Sequence, residues 1–144
     1  MGYQKRVRLQ HKFLWDIGGT GDSSTATGVI PIFSAPANTI VYSVKAEVLT
    51  LVAGSTAEEV GDGTDVDGFL VDGFAAATGI YPTSAEAAEC GVFQKATTAG
   101  ATDALDVSNS EEIKVYSSAD TIDYKISGTA TAGKIRFYVD FEVL

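Results

Sequence analysis

Three stretches of this chain alternate apolar and polar residues with a period of two, and nothing else in the sequence constrains the fold as strongly. In residues 3–15, Val7, Leu9, His11, Phe13 and Trp15 share one side, and Gln4, Arg6, Arg8, Gln10 and Lys12 share the other. In residues 39–52, Ile40, Tyr42, Val44, Ala46 and Val48 oppose Val41, Ser43, Lys45 and Glu47. In residues 134–144, Ile135, Phe137, Val139, Phe141 and Val143 oppose Arg136, Tyr138, Asp140 and Glu142. Successive side chains of a strand point to opposite faces. Each stretch therefore reads as a strand with one buried face and one wet or interfacial face.

Shorter signals fill in the rest. Thr27–Phe33 is an apolar run broken by Pro31, which cannot donate to a ladder, so it predicts an edge strand or a bulge. Glu111–Ser117 and Thr121–Ser127 predict a hairpin through Ser117-Ser118-Ala119-Asp120, and Cys90–Ala96 predicts a short strand. Asp16–Ser24, Ala53–Gly63, Thr78–Ala88, Thr97–Asn109 and Thr129–Gly133 read as loops or turns. Asp65–Ala77 has room for one or two helical turns around Phe69, Leu70 and Phe74, weakened by its two internal glycines. Seven or eight strands with turn signals between them predict an all-β sandwich or barrel with long loops and at most one short helix. The 144 residues fit one domain. Residues 1–16 read as a basic N-terminal strand or arm, and 17–144 as a single β-sandwich domain.

Charge divides along the same boundary. Lys5, Arg6, Arg8 and Lys12 precede Asp16 with no acid among them; six basic and nineteen acidic residues make up the charge of the whole remainder. A basic arm on an acidic body predicts contact with an acidic neighbour or with a second copy, Tyr3, Lys5, Arg6, Arg8 and Lys12 being the candidate interface residues. The plainer reading is a solvated strand face. A net charge of −9 repels phosphate backbones, so nucleic acid is not expected as a partner. No apolar run approaches the ~20 residues of a membrane helix, and no apolar stretch follows the first charges as in a signal peptide. A soluble protein made in a cytoplasm is the expectation.

Candidate chemistry is sparse. His11 is the only histidine and lies in phase with Val7, Leu9 and Phe13, which predicts packing rather than catalysis. Cys90 is the only cysteine and reads as a small buried hydrophobe. Glu58-Glu59 and Glu111-Glu112 are adjacent pairs whose side chains would diverge in a strand. Gly18-Gly19-Thr20-Gly21 lacks the lysine of a phosphate loop. No catalytic residue and no cofactor is expected.

The stretch Val60–Phe74 is the one metal candidate, through Asp62, Asp65 and Asp67. Calcium needs six to eight oxygens. Counting an EF-hand from Asp62 places Thr64 and Val66 where acids belong and Gly73 where the closing glutamate belongs. Gly61-x-Gly63-x-Asp65 matches one unit of a calcium nonapeptide repeat, but a single copy cannot build that site. The stretch reads better as an acidic turn that caps backbone amides, with Phe69, Leu70 and Phe74 plugging one end of the sandwich.

Several segments resemble small structural proteins of tailed bacteriophages: Pro36-Ala37-Asn38-Thr39-Ile40-Val41, Lys45-Ala46-Glu47-Val48, Val60 to Leu70, and the closing Gly133-Lys134-Ile135-Arg136-Phe137-Tyr138-Val139. The resemblance spans about residues 36–74 and 133–143. It implies a head decoration (cement) protein of β-sandwich or jelly-roll fold, a homo-oligomer, commonly a trimer, bound to the major capsid protein on the outer capsid surface of the virion. It transfers no active site. Tyr3–Lys12 is then the candidate contact with the capsid or a sister subunit, and the loops around Ser55–Asp65 and Thr97–Asn109 are candidate outer surfaces. The competing readings are a neck, tail or head–tail connector component, and a carbohydrate- or receptor-binding module using Trp15, Tyr42, Tyr81, Tyr116, Tyr124 or Tyr138.

Overall fold

The computed structural model describes residues 6–83, 90–94 and 113–144. The chain is all-β. Its strands are β1 (Leu9–Asp16), β2 (Gly28–Ala35), β3 (Thr39–Gly61), β4 (Gly79–Tyr81), β5 (Lys114–Tyr116) and β6 (Asp120–Val143), with one three-residue 3-10 turn at Phe74–Ala76.

Two strands dominate. β3 has 23 residues and β6 has 24, and they pair antiparallel from Thr39↔Val143 to Gly61↔Asp123. The turn predicted at Thr129–Gly133, and the loop predicted at Ala53–Gly63 as far as Gly61, are therefore absorbed into strands. Glycines at Gly54 (φ 85°) and Gly128 (φ 76°) let the paired strands bend without leaving the ladder. Four register shifts between Val48 and Ala57 take up the mismatch on β3.

The bend folds the ribbon over on itself. β1 pairs with the later half of β6, from Leu9↔Phe141 to Asp16↔Lys134. β2 pairs with the earlier half, from Gly28↔Ile126 to Ala35↔Asp120. The two halves then face each other through aromatics. Tyr124 of the earlier half meets Trp15 of β1 at 5.3 Å between ring centroids and Phe137 of the later half at 4.9 Å. Phe33 of β2 meets Phe141 at 4.6 Å. The sandwich-like core is thus made by one continuous curled sheet. Trp15, Tyr124, Phe69, Phe74 and Phe137 are fully buried in it, each contributing roughly 1.5–3 kcal/mol of transfer free energy.

Pro31 behaves as its chemistry requires. Among the described residues β2 pairs with β6 alone, and its register shifts between Pro31 and Phe33, so this is an edge strand with a bulge. Three other expectations change. β5 pairs with β3 at Thr39–Val41 rather than with β6, so Ser117–Asp120 closes no hairpin. Gly79–Tyr81, read as loop, forms β4 against Ala46–Val48. Val41, assigned to the wet face, is buried with Val44, Ala46 and Val48. The register skips Tyr42 between Val41 and Ser43, and that bulge reverses the alternation upstream of it.

Candidate functional site

The Val60–Phe74 stretch is built around a buried carboxylate. Gly61 ends β3 where a Cβ would stand 2.0 Å from the carbonyl oxygen of Asp65, so only glycine admits the turn that follows. That turn places Asp62 at 2% exposure. Its Oδ1 accepts the backbone N–H groups of Thr64 (2.8 Å) and Asp65 (3.0 Å). Its Oδ2 accepts the Tyr116 hydroxyl (2.9 Å) and pairs with Lys114 Nζ (3.2 Å). The Lys114 ammonium lies 3.8 Å from the centroid of the Phe93 ring. Burial by itself pushes the Asp62 carboxyl up, but the two amides, the hydroxyl and the ammonium outweigh it and hold the group below the ordinary carboxylate value. Burial and the Asp62 charge push the Tyr116 hydroxyl up.

Asp62 therefore acts as a cap and crosslink, with both oxygens engaged by protein donors. Asp65 is raised by its hydrogen bond with Asp67, then by burial and by that neighbour's charge. Among the described residues no three His, Cys, Asp or Glu side chains converge to hold a metal ion. Beyond the cap, Val60 and Leu70 exchange backbone bonds, Val60 N–H to Leu70 O at 2.9 Å and Leu70 N–H to Val60 O at 3.0 Å. Phe69, Leu70 and Phe74 are buried, as the plug reading requires.

One residue in this region carries no sequence signal. Gln94 is buried, and its amide bonds both backbone groups of Val44 and the carbonyl of Phe69. The strand predicted at Cys90–Ala96 is instead a bridge at Cys90, paired with Leu70, and a turn; residues 95–96 lie outside the described residues. Cys90 is buried.

The basic residues gather on the outer face of the sheet, over its own acids. Arg6 Nε lies 3.5 Å from Glu142 Oε1, and the Tyr42 hydroxyl donates to Glu142 Oε2 at 2.8 Å. Arg8 sits 3.8 Å above the Tyr42 ring. Gln10 and Ser43 both donate to Asp140, at 3.1 and 2.8 Å. Lys12 lies 5.9 Å from the Tyr138 ring, whose hydroxyl donates to Glu47 at 2.6 Å. Arg6, Arg8 and Lys12 are thus brought together and remain exposed, the Arg6 side chain at 71%. The Arg6–Glu142 pair joins this exposed guanidinium to a buried carboxylate, whose side chain is only 4% exposed. Tyr3, Lys5, Glu111, Glu112 and the Thr97–Asn109 loop lie outside the described residues.

His11 is half-buried, its ring 5.3 Å from that of Phe33. Of the aromatics considered for sugar binding, Trp15, Tyr116 and Tyr124 are core residues, with the Trp15 indole N–H donating to Thr25 O at 2.8 Å.

No protein-family description and no curated protein matches the chain. Solved structures do share its fold. One is a chain in the acidic stable capsid structure of Helicobacter pylori bacteriophage KHP30, with 13% identity, a TM-score of 0.55, and coverage of 96% of this chain and 92% of that one. Another is a chain in the capsid asymmetric unit of cyanophage Pam1, with 15% identity, a TM-score of 0.54, and coverage of 100% and 91%. At the level of fold, the resemblance to phage structural proteins holds.

Proposed function

We propose that this protein is a non-enzymatic virion component that binds the outer surface of a phage capsid and stabilises it. The observation that carries the reading is the whole-chain likeness to chains in two phage capsid structures. Coverage is nearly complete in both directions, so the matched chains are of much the same length as this one. Matched chains of this size suit an accessory piece added to a shell better than a domain of a large shell protein. The major capsid protein is the proposed partner. One small domain offers limited area, so a symmetric homo-oligomer, a trimer in the simplest case, would gain its hold through several contacts at once.

The test is to add purified protein to shells that lack it. Co-sedimentation at a fixed stoichiometry, with a rise in the temperature at which the shells rupture, supports the reading. A protein that never sediments with intact shells overturns it. Imaging of the particle separates a capsid-surface position from the neck or tail, where the second reading would place it.

A further inference from the structure

Among the described residues the fold leaves one long strand edge open, and a groove lies beside it. β1 pairs with β6 on one side only. At its end the other side is covered: Leu14 O accepts from Asp22 and Ser23 N–H, Leu14 N–H donates to Asp22 Oδ2 at 2.7 Å, and Asp16 N–H donates to Ser23 O at 2.9 Å. Backbone groups alternate sides along an antiparallel strand. If Leu14 and Asp16 face away from β6, so do Lys12 and Gln10, and both are exposed.

The other edges differ. β2 is interrupted by Pro31, which has no N–H, and by the bulge at Ile32. β4 and β5 have three residues each. Between β1 and β2 the curled sheet does not close, and a groove of about 390 Å³ lies there, lined by His11, Phe13, Pro31, Ile32, Phe33 and Ser34. Val7 and Leu9, in phase with His11 and Phe13, are exposed apolar residues at 54% and 50%.

We infer that the open edge of β1 accepts an added strand from another polypeptide, an extended segment in which apolar residues alternate with Asp or Glu. An added strand draws affinity from main-chain bonds and selectivity from pockets for alternate side chains. Here Gln10 and Lys12 supply the main-chain bonds, and the groove takes the inward side chains. Arg8 and Lys12 stand exposed on the outer face of the sheet, over Tyr42 and Tyr138, and turn toward the guest's other side chains to select acids. A second copy does not fit: its β1 laid against this one would set Arg8 and Lys12 against their own counterparts, like charges in opposed positions. Naming the donor as a shell subunit rests on the proposed function; the site itself does not.

The probe is a synthetic peptide of about ten residues alternating Val with Glu, matched by one with Lys in place of Glu. Addition of the Glu peptide to the full chain is expected to slow amide exchange at Gln10 and Lys12. Gln10→Pro removes an N–H that β6 does not use and one exposed side-chain bond to Asp140, so the unfolding midpoint should fall only slightly while peptide affinity falls about tenfold or more. Arg8→Glu gives a second reading, reversing the preference between the two peptides. Equal binding of both peptides by wild type, unchanged binding by Gln10→Pro, or no binding at all overturns the inference. So does protection of Gln10 and Lys12 that rises with protein concentration alone, which assigns the edge to a second copy. On shells, normal occupancy by Gln10→Pro removes the edge as the capsid contact and leaves decoration standing; absence of wild type from shells removes decoration and leaves the peptide result to judge the edge.

Discussion

The side-chain amide of Gln94 pairs with both backbone groups of Val44. Val44 N–H donates to Oε1 at 2.9 Å, and Nε2 donates to the Val44 carbonyl at 3.0 Å. The arrangement fills a gap in the sheet. β6 occupies one edge of β3 throughout, while β5 covers Thr39–Val41 and β4 covers Ala46–Val48 on the other. Val44 falls between those two short strands, and Gln94 stands in for the missing neighbour. Its Nε2 also donates to Phe69 O at 2.7 Å, so one amide ties the central plug to the sheet.

Replacing Gln94 should therefore cost more than a surface polar residue would. Gln94→Ala leaves buried backbone groups unpaired, and we expect a loss of about 2–4 kcal/mol in denaturant unfolding. Gln94→Glu should be worse at neutral pH, because a carboxylate meets two carbonyls. It should recover partly in acid, where the protonated side chain regains a donor.

Asp62 predicts a loss of stability in acid. Its folded value lies below the ordinary one, so its contribution is complete above about pH 4 and disappears as pH falls through the folded value. Asp62→Ala strands the Lys114 ammonium and the Tyr116 hydroxyl, and should cost about 3–5 kcal/mol at neutral pH. The gap between wild type and Asp62→Asn, followed by unfolding at a series of pH values, should narrow as the medium is acidified.

Asp123 predicts the reverse. Burial raises its carboxyl, helped by the charges of Asp120 and Asp62, and Oδ1 finds no hydrogen-bond partner among the described residues. An acid raised in the folded state destabilises once pH rises through its folded value. Asp123→Asn should raise the unfolding temperature at neutral pH, and the gain should vanish below the ordinary carboxylate range. An unchanged midpoint at both pH values would rule this out.

Trp15 reports on the fold-over itself, since it touches Tyr124 from the opposite half of the ribbon. It is the single tryptophan and fully buried, so its emission should shift to the red on unfolding. Trp15→Ala should cost about 3–5 kcal/mol, and Trp15→Phe distinctly less.

Much of the local structure was legible in the residues. The closing strand places Ile135, Phe137 and Val139 inside, as its alternation requires, and Pro31 marks an edge with a bulge. The failed calcium register left the acidic turn as a cap on backbone amides, which Asp62 supplies to Thr64 and Asp65, but the short helical turn it was also expected to cap starts at Gly73 with no side-chain cap. Val41 misled because a one-residue bulge at Tyr42 reverses a face without leaving any mark in composition. Thr129–Gly133 misled because small residues signal a turn, yet a strand held by a long partner can bend and stay in its ladder. Gln94 was illegible because one amide can complete a strand edge from a distant loop only after both have been placed.

By itself, then, the sequence determined the strand periods and the split of charge, since these depend on each residue and its near neighbours. The tertiary structure decided which strands pair, where the β3–β6 ribbon folds over, and which edge stays open. Strand pairing joins backbone groups that are chemically alike at every residue, so the partner is chosen by packing across the whole chain rather than by local sequence.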